Sequence, residues 1–148
     1  MTKEVLISIS GMQVTDGEQD DVEMITTGDY YRKNGKHYIL FEEIPEGDDG
    51  VISNTIKIGP DKLDVIKRGV NNAHLTFEKN KKSTTCYATP VGDLMIGIST
   101  KEVSVEETEE LLKVAVNYSL DINYEHVSEC GIVVAVRPKC SPDFHLLS

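Results

Sequence analysis

From Leu112 to Tyr124 the chain alternates without a break. Leu112, Val114, Val116, Tyr118, Leu120, Ile122 and Tyr124 are apolar or aromatic, with Lys113, Ala115, Asn117, Ser119, Asp121 and Asn123 between them. Strict alternation places one set on each face of a strand, whereas a helix would need apolar residues at i, i+3 and i+4. The run exceeds an ordinary strand of about 5–6 residues. Long strands suit barrels, where each is tilted and coiled.

The period of two recurs along most of the chain, and turn chemistry cuts it into hairpins. Asn34-Gly35 lies between Tyr31 and Tyr38 and fits a type I′ turn, whose two centres both need positive φ. Gly59-Pro60-Asp61-Lys62 separates strands expected at 56–58 and 63–68, and Asn80-Lys81 separates 75–77 from 84–88. Pro90-Val91-Gly92-Asp93 leads into 94–100, and a last turn is expected near 128–131, ahead of 132–136. Many short-linked strands are the mark of a sandwich or barrel. Strand length favours an all-β, antiparallel up-and-down β-barrel of about eight to ten strands. The one plausible helical turn lies near 105–111, where Glu106, Glu107, Glu109 and Glu110 cluster. Alternation ends at Pro138, which divides a barrel domain (1–138) from a C-terminal tail (139–148).

At 148 residues the chain suits one domain with a single core. A net charge of −10 works against nucleic acid, because a phosphate backbone needs a clustered basic footprint. The basic groups nearest to a cluster are Lys79, Lys81 and Lys82, at a turn, and the pair Lys67 and Arg68. An anionic membrane surface would be repelled for the same reason. Met-Thr-Lys-Glu-Val runs straight into a strand with no apolar signal core, and Cys86, Cys130 and Cys140 form no C-x-x-C pair. The expectation is a cytoplasmic protein with reduced thiols, monomeric or homodimeric.

No glycine loop for phosphates and no G-x-S-x-G elbow is present. His37, His74, His126 and His145 stand apart without metal-ligand spacing, so no metal, cofactor or catalytic residue is assigned. The acidic stretches 16–21 and 42–50 read as solvated turns, the first lacking the glutamate a calcium loop needs at its twelfth position.

Hairpin parity is more suggestive. Around Asn34-Gly35, Tyr38 opposes Tyr31 and shares a face with Leu40 and Glu42. Around Pro60-Asp61, Lys57, Thr55 and Ser53 oppose Asp64, Ile66 and Arg68. A two- or four-residue turn at Asn80-Lys81 leaves Tyr87 and Thr89 opposite the face of Leu75 and Phe77. The mixed polar and aromatic face Tyr38, Glu42, Thr55, Lys57, Arg68, Tyr87 and Thr89 has two readings, the wet outside of a sheet or a candidate ligand-binding surface with polar groups set among aromatics. A three-residue loop would reverse the parity of its hairpin.

The collinear set Gly28-Asp-Tyr30, Tyr38-Ile-Leu-Phe41-Glu42-Glu43, Thr55-Ile-Lys57, Arg68-Gly69, Leu75-Thr-Phe77, Tyr87-Ala-Thr89-Pro90-Val-Gly92, Thr100 and Tyr118-Ser-Leu120 resembles the YwiB-like proteins. That uncharacterised bacterial family is grouped with the calycin-type (lipocalin-like) β-barrels. The resemblance implies a barrel whose relatives often hold a small molecule in the mouth, and implies no enzyme class. The preferred expectation is a non-catalytic barrel binding a small molecule in its interior, an anionic one being served by Arg68 and Lys57. The alternatives are an enzyme using Glu42 as acid or base, and an interaction module that meets a basic partner through its acidic exterior or an edge strand.

Overall fold

Asn34 and Gly35 adopt φ values of 53° and 75°, so a two-residue loop joins the second and third strands, with Lys33 opposite Lys36. Similar turns repeat along a computed structural model that describes residues 3–15, 17–44 and 50–139. Ten strands result: β1 (Glu4–Thr15), β2 (Glu18–Lys33), β3 (Lys36–Glu43), β4 (Ile52–Ile58), β5 (Lys62–Gly69), β6 (Ala73–Glu78), β7 (Lys82–Thr89), β8 (Gly92–Glu107), β9 (Leu112–Ile122) and β10 (Glu125–Pro138). They form one antiparallel sheet in the order β6-β5-β4-β3-β2-β1-β10-β9-β8-β7, so every strand lies beside its neighbours in sequence. Among the described residues the two edges, β6 and β7, meet at one bridge, where Asn72, just ahead of β6, and Ala88 exchange two backbone hydrogen bonds of 2.9 Å. The barrel is all but closed.

Three local expectations are corrected. The turn between β9 and β10 is at Asn123-Tyr124, both with positive φ (50° and 71°), not at 128–131. Asparagine tolerates that region; Tyr124, a bulky residue that seldom adopts it, does so at a tight turn with 81% of its surface exposed. The glutamates near 105–111 continue β8 to Glu107 and then turn at Thr108, whose N–H donates to the Leu111 carbonyl at 2.8 Å, so no helical turn forms. Glu18 to Asp21 belong to β2 rather than to a loop, and Asp16 lies outside the described residues. The stretch 45–49 and the tail from 140 also lie outside them.

The core is built from the inward alternate positions. Val5, Ile7, Ile39, Ile58, Leu63, Leu112, Val114 and Val136 have no exposed surface, and Ile56, Val116 and Val134 have almost none. Each such side chain stabilises the fold by about 1.5–3 kcal/mol relative to exposure. Phe77 meets Tyr118 edge-on at 4.9 Å between ring centroids. Burial, then the Cys130 thiol beside it, push the Tyr118 phenol above its ordinary value. At this level the lumen is filled with side chains. Inward positions loosen away from it: along β9, Leu112, Val114 and Val116 are buried but Tyr118, Leu120 and Ile122 only half-buried.

Candidate functional site

Hairpin parity held around the first two turns. Tyr31 opposes Tyr38, which opposes Lys57, which opposes Asp64. The face they share is the outside of the barrel, because Ile39, Phe41, Ile56 and Leu63 take the inside. Tyr38 stacks on Tyr31 with centroids 4.8 Å apart, and Lys57 Nζ lies 5.6 Å from the Tyr38 ring centre. Asp64 accepts from Thr76 Oγ1 at 2.9 Å and meets His74 Nε2 at 3.0 Å. This is a cross-strand ladder of the kind that stabilises a sheet surface. Thr55 lies on the same face, half-buried, while Glu42 and Arg68 are exposed there.

Tyr87 and Thr89 take the opposite face, and the reason is the loop. Lys79, Asn80 and Lys81 separate β6 from β7, a three-residue connection with Asn80 at φ 63°. An odd loop reverses parity, so Tyr87 packs inward against the core cluster with Leu75. Thr89 Oγ1 donates to the Gly92 carbonyl of its own hairpin at 2.7 Å. The seven candidates therefore do not form one surface: five face solvent and two face the lumen. The inward cation of β5 is Lys67, which donates to Glu43 Oε1 at 3.0 Å and Asn54 Oδ1 at 2.9 Å, while Asn54 Nδ2 donates to Glu43 at 3.1 Å. That trio satisfies itself.

A second polar chain closes the other end of the barrel. Tyr30 and Arg32 on β2 share the inner face with His37 on β3, which is buried with 6% of its surface exposed. Tyr30 Oη and His37 Nδ1 are 2.7 Å apart, and His37 Nε2 reaches Glu107 Oε1 at 3.3 Å. Arg32 donates to Glu107 Oε2 at 3.3 Å. Burial pulls the His37 imidazole below its ordinary value; Glu107 opposes this and Arg32 reinforces it. Burial, then Glu107, raise the Tyr30 phenol against the opposing Arg32. Both shifts favour neutral forms. The tautomer that satisfies every group has Tyr30 O–H donating to Nδ1 and Nε2–H donating to Glu107.

Over this chain lies an open groove of about 820 Å³. Its sides are Tyr30, Tyr31 and Arg32 at the end of β2, Glu107, Thr108 and Glu109 at the β8–β9 turn, and Lys3; Leu112 forms the floor. Sequence reasoning missed it in two ways. Tyr30 and His37 were legible as diagonal neighbours across the Asn34-Gly35 turn, but His37 read as an isolated strand histidine. Glu107 arrives from 70 residues away (107 − 37) with no local signal, through barrel closure alone. Among the described residues no group of three or more His, Cys, Asp or Glu stands together as a metal site.

Acid should weaken the fold in two steps. His37 has a lowered folded value, so the unfolded chain binds its proton first; this contribution is complete above about pH 6.5 and lost as pH falls from there to the folded value. At Glu43 burial works to raise the carboxyl, but the bonds from Lys67 and Asn54 outweigh it and hold the group below its ordinary value. Its contribution is present above about pH 4.5 and lost as pH falls below that. Urea midpoints measured from pH 7.5 to 3.5 should fall below 6.5 and again below 4.5. His37→Gln should remove the first step and leave the second.

Fold and groove together define a nearly closed, ten-stranded antiparallel β-barrel with a polar mouth. The chain belongs to the family described as a domain of unknown function, DUF1934, which matches residues 7–134. It is 25% identical over 121 residues to the uncharacterized beta-barrel protein YwiB of Bacillus subtilis (strain 168), covering 82% of this chain and 84% of that one. The crystal structure of the ywiB protein from Bacillus subtilis superposes with a TM-score of 0.81 at 20% identity, over 93% of each chain. That likeness establishes the fold. Among the described residues no helix is long and apolar enough to cross a membrane.

Proposed function

We propose that this protein is a non-catalytic barrel that holds a small, singly charged anion with an apolar body in the mouth groove, in the manner of calycin-type barrels. The observation that carries the reading is the groove itself. Its volume of about 820 Å³ falls in the range of small-molecule sites, roughly 300–1,000 Å³, and it sets Leu112 and two phenols beside Lys3 and Arg32. Glu107 engages one nitrogen of Arg32, which leaves other N–H donors of the guanidinium for a ligand carboxylate or phosphate. Glu109 on the rim and the net charge of −10 disfavour a polyanion.

The non-catalytic part of the proposal is supported by how the polar groups at this end are engaged. Tyr30, His37, Glu107 and Arg32 spend their polar atoms on one another, the pattern of a chain that holds the barrel end together. Glu42 stands in solvent on the outer face, without the burial on which an acid–base role rested. A reducing, cytoplasmic compartment fits the free thiols of exposed Cys86 and buried Cys130.

The test is chemical-shift mapping with benzoate, octanoate and phenyl phosphate. Shifts are expected at Tyr30, Arg32 and Leu112, and Arg32→Ala should weaken binding roughly tenfold or more, the worth of a charge-assisted hydrogen bond. Absence of any groove shift across the panel, or undiminished binding by the variant, overturns the proposal.

A further inference from the structure

The sheet has an open edge in its middle. Along β2 every residue from Glu18 to Asp29 is paired to β1, but β3 pairs with β2 only from Asp29 to Lys33. β3 then stays with β4 as far as Glu43 opposite Ile52. The two strands fork at Gly28, where a Cβ would lie 2.3 Å from the Leu40 carbonyl oxygen. A cavity of about 530 Å³ opens in the fork, lined by Thr27, Gly28, Leu40, Glu42 and Thr55 among others.

In an antiparallel ladder the N–H and C=O of one residue point to the same side. Tyr30 N–H donates to the Lys3 carbonyl on the β1 side at 2.7 Å. Even-numbered residues of β2 therefore face β1, and Gln19, Asp21, Glu23, Ile25 and Thr27 turn their backbone groups to the open side. Among the described residues no strand pairs with them there. Val22 and Ile25, on opposite faces of the same stretch, are 70% and 62% exposed.

We infer that this edge receives an extended, lysine- or arginine-rich segment of another protein as an added strand, seated in the β2–β3 fork. Charge chooses the occupant. From residue 18 to 29 the edge carries Glu18, Asp20, Asp21, Glu23 and Asp29 and no basic residue, with Glu42 across the fork. A second copy would set the same acids against themselves, which opposes edge-to-edge pairing of this chain. A segment alternating cations with apolar residues satisfies the backbone, neutralises the acids and covers Val22 or Ile25.

Amide hydrogen exchange with two decapeptides tests this, one of five Lys-Val repeats and one of five Glu-Val repeats. The Lys-Val peptide should slow exchange at Gln19, Asp21, Glu23, Ile25 and Thr27, and added salt should weaken the effect. Ile25→Pro removes one open-side donor while leaving the β1 ladder intact, since proline is tolerated where its missing N–H faces outward. It should weaken peptide binding about tenfold. The double substitution D21K/E23K preserves the backbone and should abolish binding even if the proline variant folds poorly. Slow exchange at these amides in the free protein, equal protection by the Glu-Val peptide, or protection that grows with protein concentration alone would each overturn the inference, the last by making the occupant a second copy.

Discussion

Gly69→Ala is expected to destabilise the barrel by roughly 3 kcal/mol or more, the sum of a strained backbone and a clash that cannot relax. Gly69 sits at φ 130°, and a Cβ there would lie 2.1 Å from the Val51 carbonyl oxygen. That atom belongs to the backbone entering β4, so neither partner can swing aside. The glycine also anchors the seam. Its N–H donates to Asn72 Oδ1 at 3.3 Å, and Asn72 Nδ2 donates back to its carbonyl at 2.9 Å. The same asparagine makes the only bridge between the barrel's edges among the described residues, to Ala88. A fall in the urea midpoint, with faster amide exchange at Asn72 and Ala88, checks the expectation. An unchanged midpoint would mean that this corner yields more easily than its geometry allows.

Leu112→Ala should cost about 2–5 kcal/mol, as large-to-small changes at sealed positions do. Leu112 has no exposed surface and stands where β9 begins, opposite Val136 on β10 and Glu107 on β8. It is also the floor of the mouth groove. One substitution therefore removes core packing and loosens the layer directly beneath the groove. Denaturation at constant m-value would report the first. Weaker benzoate binding at a temperature where the variant remains folded would report the second.

The architecture was largely legible, because alternation reports a strand directly and Asn-Gly reports a tight hairpin. The all-β class and a count of about eight to ten strands came from alternation and turn residues, and the register around Asn34-Gly35 and Pro60-Asp61 from the Asn-Gly and Gly-Pro-Asp-Lys turns. The Asn123-Tyr124 turn was missed because Tyr124 continues the apolar alternation of β9, and no glycine marks the reversal. The candidate site was misread for a different reason. Parity says which residues share a face, but not which face is inside. Around Pro60-Asp61 the choice of Lys57 and Arg68 as inward groups required Ile56, Ile58, Leu63 and Val65 to face water, and the hydrophobic effect decides that contest the other way. The inward cation is the next residue, Lys67. Tyr87 and Thr89 were separated from their supposed partners by one extra loop residue at Lys79–Lys81. The mouth groove, in contrast, joins β2, β3 and β8, and nothing local in the sequence announces that Glu107 ends above His37.

Two arginines now stand for two different barrels. Arg32 borders a groove at the mouth, while Arg68 lies on the outer surface. Side-by-side titration of phenyl phosphate into Arg32→Ala and Arg68→Ala, with the unaltered protein as reference, separates them. Weakened binding is expected in the first variant and reference affinity in the second. Loss confined to Arg68→Ala, or reference affinity in both, would contradict a site at the mouth.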